Sequence, residues 1–189
     1  MTSGRPRATS RDTISEAACE LFLEQGFAHT SVAQITQRAG VSRSSFFNYF
    51  TSKSDVLWAG LDERIVELGT RLSTVDGADA GSSVMMALRA IGDDFAPDSL
   101  ALALVNTEVM GFGDEFDRDA GLRRARIAHA VATRLRGSGA DPLRAEVAGA
   151  ACGGAVLAAI GAWAQAGAGQ KPLAPLLDQA LAIAAPTLA

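Results

Sequence analysis

Between Ser31 and Phe50 the chain spaces its capping, apolar and polar residues so closely that one local structure satisfies all of them, a pair of short amphipathic helices joined by a tight turn. Ser31 is a good helix cap, and Gln34, three residues on, stands where a capping box needs its return partner. Val32, Ile35 and Ala39 recur at i, i+3 and i+7 and make one apolar stripe. Gly40 follows directly, the residue that most readily takes the left-handed conformation ending a helix. Val41 can pack back across the turn, and Ser42 can cap the next helix. On a helical wheel over 43–50, Phe46, Tyr49 and Phe50 share one side, Ser44 and Asn48 lie opposite, and Arg43 and Phe47 occupy a flank. The spacing predicts a second helix over 43–50, held to a core by its aromatics and open on its polar, cationic face.

That open face has the chemistry of a major-groove reader. Arginine pairs bidentately with guanine, serine and asparagine bond base edges or phosphates, and a phenyl ring can touch a thymine methyl. Arg43, Ser44, Phe47 and Asn48 are the candidate base contacts. Ser45, Tyr49 and Lys53, with Thr30 at the preceding helix start, are expected at phosphates, and the capping Ser31 and Ser42 complete the candidate DNA-binding set. An ordinary helical hairpin with a solvated polar face has the same periodicity, so spacing alone leaves both readings open.

From about residue 10 to residue 60 the chain resembles the DNA-binding head of the TetR (tetracycline repressor) family of transcriptional regulators. The matching residues are Ile14, Ala17, Ala18, Leu21, Phe22, Gly26, Phe27, Thr30, Ser31, Val32, Ile35, Ala39-Gly40-Val41-Ser42, Phe46, Tyr49-Phe50 and Lys53, in unbroken order. Thr36 stands where the family usually has Ala, and Phe47 where it often has Tyr, so a contact from Phe47 has to be apolar. The resemblance implies an all-α fold with an N-terminal three-helix helix-turn-helix DNA-binding head over 10–54. A helical effector-binding and dimerisation body over 55–189 follows, and residues 1–9 form a flexible basic arm. It further implies a homodimer on a double-stranded, pseudo-palindromic DNA operator, repression as the usual mode, and release by a small-molecule effector. The last two long helices would pair into a four-helix dimer interface. A helical adaptor that no longer depends on DNA is the alternative.

The first helix supports the head. Ile14, Ala17, Ala18, Leu21, Phe22 and Gln25 trace a helical stripe that Gly26 stops. Ahead of it, Arg5, Arg7 and Arg11 lie in a Gly-, Pro-, Ser- and Thr-rich stretch that could reach a phosphate or a minor groove, or simply aid solubility. The charge is unevenly spread. Through Lys53 six basic residues (Arg5, Arg7, Arg11, Arg38, Arg43, Lys53) face four acidic ones (Asp12, Glu16, Glu20, Glu24), a balance of +2 in a chain of net −4. A locally basic head on an acidic body suits a reader of particular DNA sites rather than a nonspecific coat.

Other classes find little support. The sequence has no P-loop, no dinucleotide glycine fingerprint, no HExxH and no nucleophile elbow, so no catalytic residue and no cofactor is expected. His29 and His129 are isolated, which predicts no metal site. The acidic run Asp114, Glu115, Asp117 and Asp119 lacks EF-hand spacing and reads as a solvated turn. Cys19 and Cys152 stand far apart and, with a polar, basic start to the chain, point to a reducing, cytoplasmic setting without a secretory signal.

Beyond residue 53 the reading is helical throughout. Ser52 and Asp55 resemble another capping box, and Val56, Leu57, Leu61, Ile65, Leu68 and Leu72 form a long stripe. A loop over Asp76–Ser83 precedes a helix near Val84–Phe95, and Pro97 opens a segment to Met110. A break over Gly111–Asp119 precedes a basic helix from about Gly121 to Arg136. An Ala/Gly helix spans Leu143–Gln165, and Pro172 starts a last one. Val147–Ala164 carries no formal charge and includes the pair Gly149/Gly153. Its Ala and Gly content favours close helix packing in a soluble bundle over a membrane span. Met85, Met86, Phe95, Leu104, Met110, Phe112, Phe116 and Trp163 are the large apolar residues available for a pocket, with Asn106, Glu108 and His129 as polar partners. Met86, Phe95, Asn106, Met110, Phe112 and Trp163 are the effector-binding candidates, for an apolar or aromatic small molecule, although plain core is the better reading of each one taken singly.

Overall fold

The computed structural model describes residues 10–74, 79–95, 99–167 and 171–188. The basic arm with Arg5 and Arg7, part of the loop read from Asp76, and Pro97 lie outside them. Every element among the described residues is helical: α1 (Ser10–Gln25), α2 (Val32–Ala39), α3 (Arg43–Phe47), α4 (Asp55–Thr74), α5 (Ala80–Arg89), α6 (Ser99–Val105), α7 (Thr107–Met110), α8 (Asp114–Gly137), α9 (Pro142–Gln165) and α10 (Ala174–Ala184). Short 3-10 turns follow α5 at Ala90–Gly92 and α10 at Ala185–Leu188.

The all-α expectation and its N-terminal three-helix unit match this architecture. The α1 stripe is buried at Ile14, Ala17, Ala18, Leu21 and Phe22, and Gly26 ends the helix at φ +83. The α4 stripe is buried at every position read from the sequence, with Trp58 added to it. Both join one continuous core with α8 and α9.

Four boundaries differ from the sequence reading. Helix α3 stops at Phe47 rather than Phe50, and Tyr49 is half exposed while Phe46 and Phe50 are buried. The helix before Phe95 starts earlier, at Ala80, because Asp79 accepts from the Ser82 amide and caps it. The segment to Met110 splits at Asn106 (φ −112, ψ 24) into α6 and α7. The acidic run at Asp114–Asp119 is the beginning of α8, not a turn, since carboxylates are favoured where a helix presents unpaired amides.

The apolar helix α9 lies between α8 and α10, and half of its most apolar window is buried inside the fold. Its glycines explain how closely α8 approaches. A Cβ at Gly149 would stand 2.4 Å from the Ala128 carbonyl oxygen, and one at Gly153 2.6 Å from that of Arg124. The small-residue pair is therefore a contact between two helices of the bundle.

Candidate nucleic-acid interface

The turn between α2 and α3 is built by the local chemistry that the sequence predicts. The Ser31 hydroxyl accepts from the Gln34 amide at 3.3 Å, and the Gln34 side chain accepts from the Ser31 amide at 2.9 Å. Gly40 takes φ +67, and its amide and that of Val41 close the end of α2 on the Gln37 and Thr36 carbonyls. Ser42 caps α3 by accepting from the Ser45 amide at 3.1 Å. Arg38 forks onto Glu24 (2.7 Å) and reaches Glu20 (3.2 Å), tying α2 to α1. The hydrogen bond from Arg38 is the main reason the Glu24 carboxyl is held below its ordinary range.

This frame holds α3 by one face. Phe46 and Phe50 are buried with ring centroids 5.5 Å apart, while Ser42, Arg43, Ser44, Phe47, Asn48 and Tyr49 are exposed and Ser45 is partly so. Among the described residues Arg43 has no carboxylate partner; its guanidinium lies 5.6 Å from the Phe47 ring centre, which projects beside it. Ser31 is exposed at the start of α2. Eight of the ten DNA-binding candidates are thus at least partly exposed, at the start of α2 and from the α3 cap to the turn that follows it.

Thr30 and Lys53 do not present their side chains there. Thr30 is buried, and its hydroxyl donates to the Gly26 carbonyl at 2.8 Å. The Lys53 ammonium donates to the carbonyls of Phe27 (2.6 Å) and Thr30 (3.0 Å) and lies 4.0 Å from the centre of the Phe27 ring. Burial lowers its pKa, a shift that Glu115 opposes. Lys53 ties the loop before α2 to the turn after α3. Lys53→Ala is expected to lower the stability of the folded protein by about 1 kcal/mol. The slope of log affinity for DNA against log salt is expected to stay unchanged, whereas a lost phosphate contact would reduce it by about 0.9 for each head. Melting curves and a salt titration check both.

The head continues into the body without a seam. The Phe27 amide donates to the Met110 carbonyl at 2.7 Å. Phe112 stands between Gly111 (φ +66) and Gly113 (φ +53) and packs edge-on against Phe22 and Phe27 while stacking on Phe116. Phe116 in turn lies 4.8 Å from Trp58, centroid to centroid. A row of rings therefore runs from Lys53 to the Arg123 guanidinium, 5.0 Å from the Trp58 ring centre. Arg123 is nearly fully buried, and sequence reasoning missed it. Its only signal was the helical spacing of Asp119 to Arg123 and of Asp55 to Asp62, which does not say that the two pairs meet.

Arg123 reaches Asp62 at 2.7 Å, Asp55 at 3.3 Å and Asp119 at 3.7 Å, and the Ser54 hydroxyl donates to Asp119. Burial works to raise the Asp55 carboxyl, but hydrogen bonds from Thr51 and Arg123 outweigh it and leave Asp55 below its ordinary 3.8. A depressed carboxyl adds stability above its unfolded value and loses it as pH falls through the lower native one. Wild-type protein is accordingly expected to melt above Asp55→Asn at neutral pH, with the difference closing below about pH 4. Paired melts from pH 7 to pH 3 check this.

The six effector-binding candidates are not brought together. Met86 is 67% exposed and lines a surface groove with Met85, Arg89 and Leu188, apart from the other five candidates. Phe95 and Trp163 pack edge-to-face at 5.5 Å, the Trp163 indole donating to the Lys171 carbonyl. Met110 and Phe112 belong to the head–body junction. Asn106 donates to the Leu102 carbonyl and lines a separate recess with Gln165. A groove of about 640 Å³ between α1, α4 and α6, lined by Arg11, Glu16, Cys19, Val56, Glu63 and Leu102 among others, contains none of the six.

Known proteins share these features. The model of the tetR family of bacterial regulatory proteins matches residues 14–59. The Mycobacterium tuberculosis regulator MftR, named for mycofactocin biosynthesis, is 36% identical over 73 residues, which cover 39% of this chain and 37% of that protein. An HTH-type transcriptional repressor of the same organism is 30% identical over 129 residues, 68% of this chain and 66% of the other. The alignments thus span no more than about two thirds of either relative. NalD, the secondary repressor of the MexAB-OprM multidrug efflux pump in Pseudomonas aeruginosa, has the same fold at a TM-score of 0.58 and 21% identity, with 93% of this chain and 94% of that one covered. With the capped helix pair inside the matched residues and a helical body of the same fold beyond them, this chain belongs to the TetR family of bacterial transcriptional regulators.

Proposed function

We propose that the protein represses transcription as a homodimer whose two α3 helices read a pseudo-palindromic operator, and that an apolar small molecule releases it. The observation that carries this reading is α3 itself, anchored by Phe46 and Phe50 with Arg43, Ser44, Phe47 and Asn48 all exposed. In this reading residues 10–54 are the DNA-binding head and 55–189 the effector-binding and dimerisation body. Arg43, Ser44, Phe47 and Asn48 face bases, while Ser31, Ser42, Ser45 and Tyr49 face the backbone. Thr30 and Lys53 act from behind, by holding the loop that carries Ser31.

One short helix reads too few base pairs for specificity, so two heads set about one DNA turn apart, or a multiple of it, are required. Exposed apolar residues on the last helices, Leu122, Leu143, Val147 and Ile183, support a second copy as partner. An effector need not touch DNA. It has only to bind better to a body conformation in which the heads are wrongly spaced.

Fluorescence anisotropy tests the reading, with DNA from just upstream of the gene, a scrambled duplex of equal length, and two salt concentrations. Saturable binding to the upstream duplex alone, weaker at higher salt, is expected. Equal binding to both duplexes, followed by failure of a selection from random sequence, would sink it.

A further inference from the structure

The guanidinium of Arg123 belongs to the body helix α8, yet one of its partners, Asp55 at the start of α4, also holds the turn that follows the recognition helix. Asp55 divides its two oxygens between these elements. Oδ1 accepts from Arg123 at 3.3 Å, and Oδ2 accepts from the amides of Thr51 (3.2 Å) and Ser52 (3.1 Å) as well as from the Thr51 hydroxyl. Thr51 is bonded to Phe50, whose buried ring anchors α3. Four groups thus connect α8 to the turn after α3: a guanidinium, one carboxylate and two main-chain amides.

We propose that Arg123 is a positioning residue for DNA recognition, fixing through Asp55 where α3 stands relative to the body. The proposal rests on the regulator reading and adds to it a residue through which the position of α3 is tied to the body. The surroundings of Arg123 suit that role. Asp62 holds it from farther along α4 and is shared with Arg126, and Asp119 holds it from its own helix while accepting from Ser54. Its remaining face lies on Trp58, and its Nε has no partner among the described residues. A displacement of α8 moves the guanidinium, and Asp55 cannot follow it without releasing the 51–52 amides. A buried ion pair adds little net stability compared with apolar packing of the same shape, but it is demanding in geometry. Geometry is what a reader of DNA has to transmit.

The test is a double-mutant cycle on the full-length protein with Arg123→Met, Asp55→Asn and the pair, read by DNA anisotropy and by hydrogen exchange over residues 51–57. Asp55→Asn keeps a side-chain oxygen for the Thr51 and Ser52 amides and removes the charge that meets Arg123, so it remains informative if Arg123→Met fails to fold. Each single variant is expected to weaken specific binding about ten-fold. Each is also expected to speed exchange over 51–57 without speeding it along α1. The double variant is expected to be no weaker than Arg123→Met alone. Additive losses of affinity, or unchanged exchange over 51–57 in both single variants, would overturn the proposal. Exchange is measured without DNA, so a wild-type protein that binds no specific duplex would refute the regulator reading while the exchange data still decide the role of Arg123.

Discussion

Arg43→Ala is expected to abolish discrimination between the specific and the scrambled duplex while leaving the melting temperature within error of wild type. The side chain is exposed, has no carboxylate partner among the described residues, and caps nothing, so its removal costs the fold almost nothing. A bidentate arginine contributes about 1–3 kcal/mol of base discrimination, or about five- to 150-fold, and a dimer loses it twice. Ser44→Ala on the same face offers a weaker bond and is expected to lose less. A protein that melts normally and still separates the two duplexes after Arg43→Ala would show that α3 is not the reader.

The second large effect lies far from DNA. Gly149→Ala and Gly153→Ala each place a methyl group against main-chain oxygen of α8, at 2.4 and 2.6 Å, where no side-chain rotation can relieve the clash. Overpacking of this kind costs about 1–3 kcal/mol, and a main-chain neighbour puts both at the upper end. Alanine recovers up to about 1 kcal/mol of helix propensity. A net loss of about 2 kcal/mol per site is expected, a fall of about 4–8 °C in melting temperature for a chain of this size. Gly69→Ala in α4, with no atom within 4 Å of the added methyl, keeps only the propensity gain and is expected to raise it. Thermal denaturation of the three variants gives the comparison, and equal falls in all three would show that the α8–α9 approach is not the cause.

What was legible in the sequence is what a few neighbouring residues decide among themselves. Ser31 with Gln34, Gly40, Ser42, and Ser52 with Asp55 cap and turn the chain through atoms three or four positions apart, and all of them do so here. The α4 stripe was legible because its period needs no partner to be seen. Side chains whose partners come from elsewhere were not. Lys53 finds its carbonyls at residues 27 and 30, and Thr30 turns inward because the end of α1 folds over it. Met86 has a residue type that suits a core but stands on the outer side of α5, and periodicity cannot say which side a short helix turns outward. Gly111 and Gly113 made the acidic residues after them look like loop, although a glycine just ahead of carboxylates also describes a helix start.

Phe112 has a consequence for how parts of this protein can be exchanged. The body contributes it to a core in which it meets two rings of the head, Phe22 and Phe27, and the Met110 carbonyl just ahead of it satisfies a head amide. A head cut off at residue 54 would leave a hole where that ring stood and an amide without its acceptor. A body fitted with a foreign head would carry an aromatic plug cut for a different socket. Recombination between relatives therefore has no clean joint after the recognition helix. The smallest unit that can be transplanted with its packing intact includes the loop between α7 and α8, some sixty residues farther along the chain than the recognition helix.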